Sequence, residues 1–114
     1  MMYTEHDKAK RIISEVMGYF IETDVDDFSV AIHLGDECLI LDIEAECEQE
    51  PDDFQSFLKD LNVPREIEID EYYSQLLGSH ANHLDYTLLG KSIDKADGQY
   101  ENGKLTLKIV RTFV

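Results

Sequence analysis

Apolar residues recur at helical spacing through Ala9, Ile12, Ile13, Val16 and Phe20, and Thr4 precedes them with Asp7 three positions later, the reciprocal arrangement of a capping box. This predicts a helix from about residue 5 to residue 21, with Lys8, Arg11 and Glu15 on its solvent side. From Asp27 the period becomes two. Phe28, Val30, Ile32 and Leu34 alternate with Ser29, Ala31 and His33, and after Gly35-Asp36 the set Leu39, Leu41, Ile43 and Ala45 alternates with Ile40, Asp42, Glu44 and Glu46. A hairpin is expected. Gly35-Asp36 as a two-residue type II′ turn would set Ile32 opposite Leu39, Val30 opposite Leu41 and Phe28 opposite Ile43.

Pro51, followed by Asp52 and Asp53 at the positive end of a helix dipole, predicts a second helix whose Phe54, Phe57, Leu58 and Leu61 form an inward stripe that Asn62 and Pro64 end. A third helix is expected over about residues 67–77, with Ile69, Tyr72, Tyr73, Leu76 and Leu77 inward and Gly78 as its cap. Residues 84–94 fit either a strand, with Tyr86 and Leu88 on one side, or a helix capped by Ser79 or Asn82; the strand is taken here. Asn102-Gly103 is the strongest hairpin signal in the chain, and Leu105, Leu107 and Ile109 then alternate with Thr106 and Lys108. The order is α-β-β-α-α-β-β. It predicts an α+β fold in which an antiparallel sheet of about four strands, built from two hairpins, is covered on one face by two or three helices. The other face would be wet or would pair with another subunit, making a homo-oligomer, with Ala31 and Ile40 opposite each other on it.

Composition narrows the class. The 114 residues, 43% hydrophobic with six Tyr and five Phe, suffice for one folded domain over residues 1–114 and leave no room for a second. No apolar run approaches the roughly 18 residues that cross a bilayer, and the first residues lack a basic stretch followed by an apolar one. Cys38 and Cys47 are too few for a disulfide scaffold, so a cytoplasmic protein is expected.

Charge constrains the partners. The formal net charge is −15, from 25 acidic and 10 basic residues. Residues 1–89 hold 22 acids and 5 bases, and nine acids with no base fall between Asp36 and Asp53. Direct binding to nucleic acid or to an anionic membrane is therefore disfavoured, because both need clustered Lys and Arg.

Candidate chemistry is sparse. The six glycines are dispersed and none builds a phosphate cradle. Asp24, Asp26 and Asp27 do not make a calcium loop, since Ser29 stands where its glycine is required. A helical turn starting at Ser79 would bring His80 and His83 onto one face with Asp85 nearby, the start of a metal site that still needs another ligand. The two-residue turn would also place His33 opposite Cys38, where an imidazole can lower a thiol pKa, although Glu37 and Asp42 oppose that shift. Tyr72, Tyr73, Tyr86 and Tyr100 could edge a ligand groove or fill helix–sheet contacts. Asp94 and Arg111 would face each other across the last hairpin as an exposed pair. No catalytic set is assembled and no cofactor is implied.

The expectation is thus a small acidic, non-enzymatic interaction or regulatory module that binds another protein, of basic character, through an acidic face of Asp42, Glu44, Glu46 and Glu48. Two alternatives remain: a metal-binding protein or enzyme centred on His80, His83 and Asp85, and an acidic mimic of nucleic acid. For the mimic, alternate carboxylates on a strand repeat at about 6.6 to 6.8 Å, near the rise of two nucleotides.

Overall fold

The computed structural model describes residues 4–23, 25–66 and 86–113. Its first element, α1 (Glu5–Glu22), begins where the capping box requires. The Asp7 N–H donates to Thr4 Oγ1 and the Thr4 N–H to Asp7 Oδ2, each at 3.1 Å. Thr4 thereby holds the carboxyl of Asp7 below its usual range. Ala9, Ile12, Val16, Tyr19 and Phe20 are buried along one stripe. Lys8, expected on the solvent side, is buried as well, its Nζ 3.4 Å from Glu5.

Strands β1 (Asp27–Leu34), β2 (Cys38–Glu46), β3 (Lys95–Glu101) and β4 (Lys104–Thr112) form one antiparallel sheet in the order β1-β2-β4-β3. The first hairpin differs from expectation by two residues. Leu34 pairs with Leu39, Ile32 with Leu41, Val30 with Ile43 and Phe28 with Ala45, so the turn is centred on Asp36-Glu37, closed by the Gly35 N–H on the Cys38 carbonyl at 3.0 Å. A shift of two leaves every side chain on its original face, so alternation alone could not detect it. The second hairpin turns on Asn102 and Gly103, both at positive φ (52° and 79°), as a two-residue turn between Glu101 and Lys104 demands.

Helix α2 (Phe54–Leu61) starts three residues after Pro51, which caps a preceding turn by accepting the Phe54 N–H. Asp53 makes no side-chain cap; its carboxylate instead accepts the Tyr19 hydroxyl at 2.9 Å. The helix expected over residues 67–77 lies outside the described residues. Residues 86–94 do not form the expected strand. They contain a one-turn helix, α3 (Thr87–Gly90), and the buried Tyr86, Leu89, Gly90 and Ile93 follow helical rather than alternate spacing, with Ser92 buried beside them. The strand preceding Asn102 begins only at Lys95, so the sheet keeps four strands and the element order holds.

The core lies between the sheet's inner face and the helices. Leu39, Leu41, Ile43, Leu105, Leu107 and Ile109 meet Ile12, Val16, Phe20, Phe54 and Phe57 there. Tyr19 stacks on Phe57 at 3.8 Å, with Tyr86 edge-on to both. Helix α1 crosses the sheet diagonally. Near its start Glu5 meets Arg111 of β4, and near its end the Phe20 ring packs 5.7 Å from Phe28 of β1. Asn62, just past α2, ties that helix to β3 by donating to the Ala96 carbonyl and accepting the Ala96 N–H.

Candidate interaction surface

Strand β2 is central, so its alternate residues divide cleanly between core and outer face. Leu39, Leu41, Ile43 and Ala45 are buried; Asp42, Glu44 and Glu46 point the other way, as their spacing predicts. Pairing extends each into a row across the sheet. Ala31, Asp42, Lys108 and Asp97 form one row, Ser29, Glu44, Thr106 and Gln99 the next, and Asp27, Glu46, Lys104 and Glu101 a third. Between β2 and β3, over β4, lies an open trough of about 370 Å³ lined by Asp42, Glu44, Asp97, Gln99, Thr106 and Lys108. The acidic character continues past β2, where Asp26, Glu48, Glu50 and Asp52 line a second depression of about 380 Å³.

The local ion pairs on this face are weak. Lys104 Nζ lies 3.7 Å from Glu44 and Lys95 Nζ 3.1 Å from Asp97, while the neutral imidazole of His33 places Nε2 3.4 Å from Asp42 as a polar contact. All these side chains are about half exposed or more, so each pair contributes roughly 0 to 1 kcal/mol. Their carboxylates stay available to an external cation. Asp97 and Glu101 lie on a strand that begins at Lys95 rather than at Leu84 as the pattern predicts, and the alternation of Ala96, Gly98 and Tyr100 directly before Asn102-Gly103 is the signal for it.

The other candidates fare differently. His80, His83 and Asp85 lie outside the described residues, as do Tyr72 and Tyr73. Among the described residues no three His, Cys, Asp or Glu side chains converge in a way that could hold a metal ion. His33 pairs with Ile40 rather than Cys38, because the turn is centred one residue later than expected and the register moves by two; Cys38 pairs with Thr112 of β4. Ala31 likewise faces Asp42, not Ile40. Cys47 is a buried core residue, and the two cysteines are not joined in a disulfide.

Tyr86 and Tyr100 do not edge a groove. Tyr86 is buried in the aromatic cluster, where burial, reinforced by the charges of Glu22, Glu15 and Asp53, pushes its hydroxyl up to about 12. Tyr100 donates to the Cys47 carbonyl at 2.9 Å. The Asp94–Arg111 pair also fails to form. Arg111 points inward and is fully buried, bonding Glu5 through Nε and Nη2 and the Ser92 carbonyl through Nη1. Asp94 lies just before the start of β3 and binds Arg65.

No family model, curated protein or solved structure matches this chain. No helix among the described residues is long and apolar enough to cross a membrane.

Proposed function

We propose that the protein is a non-enzymatic, cytoplasmic interaction module that docks a basic partner protein on the outer face of its sheet. The observation that carries this reading is the alignment of Asp42, Glu44 and Glu46 along the central strand on that face, flanked by Asp97 and Glu101. Within a chain of net charge −15, such a line steers a cationic partner and fixes its register. Lys104 and Lys108 break the carboxylate row at regular intervals, which favours a folded partner carrying both signs of charge over mimicry of a continuous phosphate strand.

The test uses partners captured on the immobilised protein and then titrated in purified form. Affinity is expected to fall about tenfold or more between 50 and 300 mM salt, because exposed charges are screened within a Debye length of roughly 6 to 14 Å over that range. The triple variant Glu44→Lys, Glu46→Lys, Glu48→Lys is expected to abolish binding while leaving the melting temperature nearly unchanged. A complex indifferent to salt and to the triple reversal would defeat the reading.

A further inference from the structure

Among the described residues the sheet has two edge strands, and they are built differently. Along β3 the side chains of Lys95, Asp97 and Glu101 are charged. Charged residues along an edge are a common device against pairing with another chain. Strand β1 has none of these defences. No charged residue falls between Asp27 and Asp36, in a sequence that is 31% charged, and the strand contains neither proline nor bulge in its eight continuous pairs with β2.

The free main-chain groups of this edge follow from the hairpin. The Gly35 N–H bonds the Cys38 carbonyl, and the Phe113 N–H bonds the Glu37 carbonyl. Antiparallel alternation then directs the odd positions of β1 toward β2 and the N–H and C=O groups of Phe28, Val30, Ile32 and Leu34 outward. The same four residues carry the strand's apolar side chains. Because α1 crosses diagonally from Arg111 to Phe28, it leaves the far corner of β1 uncovered, and Ile32 and Leu34 are 49% and 50% exposed.

We infer that this edge pairs with the same edge of a second copy of the chain, antiparallel about a two-fold axis at Ala31, joining two four-stranded sheets into one of eight strands. The strand is complementary to itself in that register. Phe28 faces Leu34 of the partner subunit, Val30 faces Ile32 of the partner subunit, Ser29 faces His33 of the partner subunit, and Ala31 faces its own counterpart. Each facing pair is apolar on the helix side and small or uncharged on the other. The outward N–H and C=O groups of all four even positions find partners, and no like charges oppose each other within residues 28–34; Asp26 and Asp36 of the partner subunit meet only outside the paired stretch. Two chains of charge −15 repel at a distance, so the closest approach falls on the one strand without charge between its first residue and the turn.

Sedimentation velocity on the full chain, over about 1 to 100 μM and at low and high salt, tests this. Dimer is expected, and it is expected to strengthen as salt screens the mutual repulsion, opposite in sign to the docking of a basic partner, so the two readings fail separately. Ile32→Lys and Leu34→Lys should each give monomer with an unchanged circular dichroism spectrum. In a Cys38→Ser, Cys47→Ala background, Ala31→Cys should form an intersubunit disulfide under mild oxidation, because facing residues of a non-hydrogen-bonded pair have Cα atoms about 4.5 Å apart, within disulfide reach. Ser29→Cys should not. Monomer at every concentration, a dimer indifferent to both lysines, or equal cross-linking at positions 29 and 31 would each overturn the proposal.

Discussion

Asp94 binds several groups at once just outside β3. Its N–H donates to the Val110 carbonyl at 2.8 Å, and its carboxylate accepts the Thr112 N–H and Arg65 Nη1, which also donates to the Thr112 carbonyl at 2.7 Å. Partial burial pushes the carboxyl upward, but the Thr112 N–H and the Arg65 charge outweigh it and hold the group below its usual range. A carboxyl depressed in the folded state stabilises the fold above its unfolded value of about 3.9, and that contribution is lost as pH falls through the folded value. Asp94→Asn is expected to cost about 1 kcal/mol at pH 7, a modest figure because the side chain is 35% exposed. Urea unfolding at pH 7, 5 and 3 should show that deficit unchanged between the first two values and reduced at the third.

At the level of elements, close approach is set by two glycines. A Cβ on Gly90 would lie 2.1 Å from the main-chain oxygen of Asp60, whereas on Gly98 it would meet the ends of the Leu58 and Phe54 side chains at 2.8 and 2.9 Å. Backbone cannot retreat as side-chain tips can. Gly90→Ala should therefore destabilise more than Gly98→Ala, about 3 kcal/mol or more against about 1 to 2, as read from urea midpoints. The reverse order would show that α3 is not seated on α2 as described. Elements with strong periodicity were legible in the chain: the capped α1, the Phe54–Leu61 stripe, and the alternation of β1, β2 and β4. The outward set Asp42, Glu44 and Glu46 was legible for the same reason. The two-residue register and the lysines interleaved with those acids were not, because each depends on which strand lies alongside; Arg111 shares the inward parity of Leu105, Leu107 and Ile109, but its partner Glu5, 106 positions away, leaves no mark in the alternation. Strand β3 was hidden by its composition, since only Ala96, Gly98 and Tyr100 face inward along it.

Across the whole molecule, 25 acidic against 10 basic residues leave the folded state under net self-repulsion. Raising sodium chloride from about 20 to 300 mM should raise the melting temperature of the Ile32→Lys variant, a monomer on the edge-pairing proposal, by about 4 °C as the surface field is screened. Calorimetry checks this, and a flat or falling trend would mean that exposed pairs such as Lys95–Asp97 outweigh the repulsion. The Glu5–Arg111 pair, with its guanidinium fully buried, should be nearly insensitive to the same change.

That pair also sets an order of events during synthesis. Residue 5 and residue 111 lie 106 positions apart, so the helix made first cannot be anchored at its start until the last strand has left the ribosome. Until then Tyr19 and Phe20 can already meet Phe57 and Phe28, but the part of the α1 stripe that packs on β4 waits for its docking site, and the nascent chain depends on its many carboxylates to stay dispersed.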